Sequence, residues 1–381
     1  MTGGPLAGLR VIELAGLGSA PFGAMLLSDM GAEVIRVERV SATTGPSGIP
    51  RGNDVLNRGR RSVAVNLKDP RGAELVRRLA EQADAFIEGF RPGVVERLGL
   101  GPDDLLDRNP RLVYGRMTGW GREGPLAAAP SHDINAIALA GALEPIGRRG
   151  DIPVPPLSVL GDYAGGGMLL AFGLACGLLE AARSGQGQVV DLSMVEGSAL
   201  LMTHFYGMRG YGEWGERGSN ALDTGAAFYE VYKTSDDKFV CIASLEPQFY
   251  AELRRLLKLD DPLWDRQMDP DAWPAQKEQL TAVFRSHTRD HWCSLLEGTN
   301  VCFAPVLSMD EAPLHPQNQA RGTFIMVGDV LVPGPAPRFS RTSTDLPNKP
   351  PAVGADTHTV LADWHFSVDE IARMRSEGVV A

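Results

Sequence analysis

The chain has 381 residues, too long for one minimal core and enough for one large domain or two linked ones. Residues are 44% hydrophobic and 22% charged, ordinary globular usage that excludes wholesale disorder. Against 37 Lys and Arg stand 47 Asp and Glu, a net charge of −10 that argues against a general nucleic-acid or anionic-membrane binder.

Strand and helix signals alternate through the first 120 residues. Residues 9–14 read as a short apolar strand running into the glycine loop Gly16-Leu17-Gly18. Pro21 suits the first turn of a helix over 22–30. Residues 33–39 and 62–66 read as strands, 70–82 as a charged amphipathic helix behind Asp69, and 85–90 and 112–117 as further strands. Strands separated by helices predict a parallel α/β sheet. Further on, the pattern predicts helices over 133–143 and from Asp162, as N-cap, to 183, stopped by Gly185 and Gly187. A strand over 188–192, a helix over 194–208 and a glycine-rich linker near 209–225 follow. Antiparallel strands are expected at 228–232 and 238–242, helices at 247–257 and 274–287, a strand at 301–306, an extended proline-rich stretch at 333–351 and a short helix from Val368.

Four cysteines (Cys176, Cys241, Cys293, Cys302) lie far apart and form no CxxC pair, and the seven histidines are scattered, which argues against a disulfide framework and a zinc-finger pattern. The longest apolar run, 168–179, is broken by Gly173 and Gly177 and falls short of the roughly 20 residues a bilayer span needs. With no basic-then-apolar leader either, the expectation is a reduced, cytoplasmic protein without a membrane span.

Gly16-Leu17-Gly18, with Glu38 closing the second strand about 20 residues on, approaches a dinucleotide-binding fingerprint. The third glycine is missing and Pro21 stands there. An ordinary tight turn, a phosphate site at the helix N-terminus and a nicotinamide enzyme all remain open on this loop.

Three segments carry groups fit for chemistry: Ser131-His132-Asp133-Ile134-Asn135, Leu160-Gly161-Asp162-Tyr163 followed by Gly165-Gly166-Gly167, and Leu245-Glu246-Pro247. Singly, each has a plain reading: a surface histidine before a helix, an N-cap aspartate, and an acid complementing a helix dipole. Gly165–Gly167 suit either close approach of a ligand to the backbone or tight helix packing.

Together with LAGLRVIELAGLGSAPFGAMLLSDMGAEVIRVER, NRGRRSVAVNLKDPRG, FIEGFRPGVVERLGLG, NPRLVYGRMTGWGREGP, GQGQVVDLSMVEGSALL, ASLEPQFY and APRFSRT, these segments run in one order over nearly the whole chain. The chain resembles the α-methylacyl-CoA racemase branch of the family III (CaiB/BaiF-like) CoA-transferase superfamily. The resemblance implies an isomerase that inverts C2 of 2-methylacyl-CoA thioesters by 1,1-proton transfer through an enolate, in lipid metabolism. It implies His132 and Asp162 as catalytic groups and Glu246 as partner of the histidine. For CoA it implies Arg39, Arg91 and Arg97 at the phosphates, Val65, Asn66, Leu67 and Lys68 at the adenosine, and Ser131, Asp133, Ile134 and Asn135 around the thioester. Arg58, Arg60 and Arg61 add a local cationic cluster. No cofactor or metal is implied beyond the CoA thioester substrate. The expected fold is a large Rossmann-like parallel-sheet domain (1–196 and 330–381), a linker (197–222) and a smaller α+β domain (223–329), in an interlocked homodimer. The family usually has glycine where Ser131 stands and tyrosine where Ala136 stands, so the acyl pocket is expected to differ.

The chemistry agrees with that implication. Inverting a carbon beside a thioester needs a proton acceptor and a proton donor on opposite faces, with pKa values near the working pH. Histidine suits one face, and a carboxyl with a raised pKa the other. N–H groups beside Asp162 are candidates for holding the enolate oxygen. Met, Phe and Leu residues within 194–208, and Trp214, suit either an acyl pocket or plain core. The alternatives are a family III CoA-transferase with an acyl adduct on Asp162, and a non-catalytic acyl-CoA binder.

Overall fold

Six short strands, β1 (Arg10–Leu14), β2 (Glu33–Glu38), β3 (Arg61–Ala64), β4 (Ala85–Glu88), β5 (Val113–Thr118) and β6 (Val189–Ser193), form one sheet in the computed structural model, which describes residues 3–40 and 54–381. All pair in parallel, in the order β3-β2-β1-β4-β5-β6. Every residue of β4 and β5 is buried, as expected where helices cover both faces. Side-chain alternation sends Ile12 and Leu14 to one face, with Phe86, Leu79, Tyr114 and Trp364. Val11 goes to the other face, with Ala20, Ala24, Leu170 and Leu174. The C-terminal tail belongs to the first core: Trp364 is fully buried and Val380 bridges to Val65. Strand order reverses between β1 and β4, so the loops leaving their C-terminal ends diverge and open a crevice.

A second, antiparallel sheet joins β7 (Tyr229–Lys233), β8 (Phe239–Ala243) and β9 (Phe303–Val306). Phe228, Tyr232, Trp264, Leu280, Phe284 and Trp292 form its core with the helices Pro247–Leu257, Trp273–Arg285 and Arg289–Leu296. The chain divides into one unit of Met1–Ala140, Leu157–Leu201 and Gly322–Ala381 and another of Gly141–Pro156 and Met202–Arg321. This differs from the division expected from sequence. Segment Gly141–Pro156 goes with the second unit because the Arg148 guanidinium donates to both oxygens of the buried Glu230 carboxylate on β7, at 2.8 and 2.9 Å. The expected linker holds a helix of its own, Thr203–Gly210. A hairpin, β10 (Phe324–Val327) with β11 (Val330–Pro333), falls in the first unit, where Arg58 Nη1 donates to the Pro333 carbonyl at 2.7 Å.

Two further expectations are corrected. Asp162 is not an N-cap: it lies inside a π-helix, Val159–Met168, that continues into the α-helix Leu169–Ser184. Together they make the one helix among the described residues that is long and apolar enough, by length and composition, to cross a bilayer. The glycines that split its apolar run in sequence do not break it. Leu170, Ala171, Leu174 and Ala181 bury one face of it in the core.

Candidate active site

A cleft of ≈ 730 Å³ lies at the C-terminal ends of the parallel strands. Its walls are the loop after β1 (Gly16 to Ala20), Arg39 after β2, Gly89 to Pro92 after β4, Met117 to Trp120 from β5, and Ser131, His132 and Asp162. This is the crevice that the reversal of strand order creates.

Buried ion pairs hold the floor. Glu13 on β1 is fully buried and accepts from Arg60 Nε at 2.7 Å and from Arg36. Arg36 Nη2 reaches the Gly16 carbonyl at 3.3 Å, and Arg60 reaches the Pro21 carbonyl. Arg58 forks onto Asp29. Arg61 pairs with Glu33 at 2.9 Å and Asp363 at 2.7 Å. The expected cationic cluster of Arg58, Arg60 and Arg61 is therefore neutralised within the fold and presents no free charge to a polyanion.

The glycine loop serves a carboxylate. Gly18 has φ +63°, and a Cβ there would stand 2.7 Å from Asp162 Oδ1. The Asp162 side chain fills the space against Gly18 that a pyrophosphate would take, which disfavours the dinucleotide reading of this loop. Ser19, next in the chain and buried, donates its hydroxyl to Asp162 Oδ1 at 3.1 Å. Burial pushes the Asp162 carboxyl above the usual carboxylate range; the Ser19 hydrogen bond opposes this, the Asp133 carboxylate adds to it, and His132 opposes it.

His132 is the exposed N-cap of the short helix Asp133–Leu139, and its backbone N–H donates to Asn135 Oδ1 at 3.1 Å. It shares the cleft with Asp162. Asp133, expected near the thioester, turns its carboxylate inward. Only 4% exposed, it accepts from the Gly161 and Asp162 backbone N–H groups at 2.6 and 2.7 Å. Those two N–H groups are thereby spent and do not serve as enolate donors. Two helices, starting at Ser19 and Asp133, have their N-terminal ends beside the cleft.

The remaining residues scatter more widely. Arg39 and Arg91 are exposed on the cleft wall, and neither guanidinium has a hydrogen-bond partner among the described residues. Arg97 is exposed on the turn Val94–Arg97, outside the cleft lining. Of the stretch after β3, Val65 is fully buried and Leu67 packs on the core, so only Asn66 and Lys68 present side chains outward. Ser131 lines the cleft, whereas Ala136 is fully buried in the core; Ile134 and Asn135 are exposed. Glu246 is the exposed N-cap of Pro247–Leu257 in the second unit. Gly165, Gly166 and Gly167 are buried where a Cβ would strike Ser198, Ser19 and Gly23, so tight packing accounts for them. Met194 lines the cleft, while Phe205 and Trp214 line a separate cavity of ≈ 560 Å³ in the second unit. Sequence reasoning missed Ser19; its signal was a hydroxyl residue at the first helical position behind the glycine loop.

The family model for CoA-transferase family III matches residues 6–357. The chain belongs to CoA-transferase family III. Among relatives, it is 43% identical over 378 residues to the α-methylacyl-CoA racemase of Mus musculus, covering 98% of this chain and 97% of that protein. To the α-methylacyl-CoA racemase of Homo sapiens it is 40% identical over 379 residues, again covering 98% and 97%. A crystal structure of a CaiB/BaiF family protein from Brucella suis superposes with TM-score 0.83 at 26% identity, over 95% of this chain and 100% of that one. Within this family III chain, the groups fit for proton transfer converge where the sheet opens.

Proposed function

We propose that the protein is an isomerase that inverts C2 of 2-methylacyl-CoA thioesters. The observation that carries this reading is the convergence on one cleft of His132 and of Asp162, whose carboxyl burial pushes above the usual carboxylate range. In one direction neutral His132 removes the C2 proton from one face while the Asp162 carboxyl returns one to the other. The pair goes from neutral imidazole plus acid to imidazolium plus carboxylate, so net charge is unchanged and the reverse turnover resets it. Proton transfer beside a thioester moves no electrons to or from a carrier, so the reaction asks for no redox partner. High identity to two proteins named α-methylacyl-CoA racemase supports the assignment.

In this reading Arg39 and Arg91, with Arg97 near the rim, meet the CoA phosphates, as guanidinium forks suit phosphate oxygens. Asn66 and Lys68 flank the adenosine. Glu246 pairs with the His132 cation from the other chain of an interlocked homodimer. The four unpaired cysteines suit a reducing compartment, and we assign the protein to the cytoplasm.

Incubating the protein with an enantiopure 2-methylacyl-CoA in D₂O tests the reading: deuterium enters C2 and optical activity decays. His132→Ala and Asp162→Ala each lower the rate by roughly 10²–10⁴-fold, the usual weight of a general acid–base group. No exchange with any branched acyl-CoA ends the proposal. Membership of a transferase family keeps one competing reading, acyl transfer through Asp162. It requires a hydroxylamine-sensitive adduct on that residue, visible by mass spectrometry.

A further inference from the structure

We propose that Asp133 is a positioning residue whose buried carboxylate clamps the His132 segment to the backbone of Asp162 and so sets the separation of the two proton-transfer groups. This deepens the isomerase reading and rests on it.

Asp133 follows His132 directly in the chain, and its Oδ2 accepts both the Gly161 and the Asp162 N–H. A single carboxylate thus spans from the residue beside one reacting group to the main chain of the other. The first turn of any helix leaves N–H groups without intrahelical partners, and a π-helix leaves one more than an α-helix. Gly161 and Asp162 carry two such groups near the start of Val159–Met168. A negative charge at that end also complements the helix dipole. Sequence spacing supports the clamp at its far side: a Cβ on Gly161 would stand 2.8 Å from Asp133 Oδ2 and 3.1 Å from Ile137 Cγ2. Position 161 must therefore be glycine for the carboxylate to sit where it does. Asp133 Oδ1 is buried and has no hydrogen-bond partner among the described residues, so the hydrogen bonds of this carboxylate there are those of Oδ2.

The same carboxylate acts on Asp162 through space. The titratable groups that bear on Asp162 are His132 and Asp133 from the facing segment and Tyr163 on its own helix, with the neutral Ser19 hydroxyl against it. Asp133 is the negative one on the facing segment, so removing its charge lowers the Asp162 pKa.

Asp133→Asn retains an acceptor for the two N–H groups and loses the charge; Asp133→Ala loses both. The test combines C2 deuterium exchange across pH with mass-spectrometric amide hydrogen exchange of peptides covering 159–168 in the full-length protein. For Asp133→Ala the expected result is lost amide protection confined to that stretch. Its kcat falls by ~10²-fold, the cost of about 1 Å misplacement, with KM within a few-fold of wild type. Asp133→Asn keeps protection and most of kcat. For the enantiomer whose proton Asp162 removes, the acid limb of its pH–rate profile moves to lower pH. Wild-type protection in Asp133→Ala, or equal loss in Asp133→Asn, overturns the clamp. Should Asp133→Ala lose protection everywhere, Gly161→Ala takes its place: selective loss over 159–168 upholds the clamp and unchanged protection overturns it. Absence of C2 exchange in the wild type removes the isomerase reading but leaves the protection measurements to judge the clamp.

Discussion

In the proposed reaction most of the chemistry turns on Asp162, whose environment works against its charge. The carboxyl is partly buried, lies close to Asp133 and, among the described residues, takes its hydrogen bond from the Ser19 hydroxyl. Its pKa in the fold lies above its value in the unfolded chain, near 3.9. As pH rises past the unfolded value, the unfolded state releases its proton first and stability falls; below that value no penalty remains. Asp162→Asn is therefore expected to melt at a higher temperature than wild type at pH 7. The two melting temperatures converge as pH falls towards about 4. Equal melting temperatures at pH 7 would show that the site carries no such strain. The candidate residues themselves were legible in the sequence, because the segments that hold them stood in a recognisable order. What was not legible was orientation. Asp133 and Asp162 read alike as helix-start acids, yet one turns into the core to hold backbone and the other faces the cleft. Val65 sits in a stretch read as ligand-facing, but it bridges to Val380 of the C-terminal tail and is fully buried in the core.

At the scale of elements, the glycines mark close approach. A Cβ on Gly167 would collide with the Ser19 carbonyl and crowd the Gly23 nitrogen, so the helices Ser19–Asp29 and Val159–Ser184 meet backbone to backbone. Gly167→Ala is expected to cost about 1–3 kcal/mol by overpacking, measured by urea unfolding. It should also displace Ser19 from Asp162 and so lower the exchange rate. A neutral substitution there would mean that the two helices stand further apart than described. Strands and helices of the first 120 residues were readable because apolar runs, Pro21 and Asp69 punctuate them. The π-helix was not: its extra residue leaves hydrophobic spacing almost unchanged, and only the i→i+5 hydrogen bonds reveal it. The hairpin Phe324–Pro333 was missed although Gly328-Asp329 is a two-residue turn signal, because its strands are only four residues each.

For the whole molecule, the proposed assembly rests on a pairing of His132 with Glu246. His132 belongs to the first unit and Glu246 to the second. If they pair across an interlocked homodimer, light scattering at micromolar concentration gives twice the chain mass. Mixing His132→Ala with Glu246→Ala protein during refolding would then restore one intact site per heterodimer. A mass of one chain contradicts the arrangement. The net charge of −10 describes the surface as a whole. Arg39 and Arg91 on the cleft wall are the exception that leaves room for one polyanion. Their pairing with phosphates predicts a KM for acyl-CoA that rises with salt.

By itself, the sequence determined the parallel α/β layering, because apolar runs and their punctuation are local and do not depend on what lies across the fold. Its resemblance to a family offered the candidate proton-transfer groups. Tertiary structure decided which arginines are spent in ion pairs and which remain exposed, which aspartate faces the cleft and which holds the backbone, and that Gly18 is kept clear for a carboxylate. Each of those depends on residues distant in the chain, such as Glu13 with Arg60 or Asp133 with Gly161, meeting only once the sheet and its helices have closed around them.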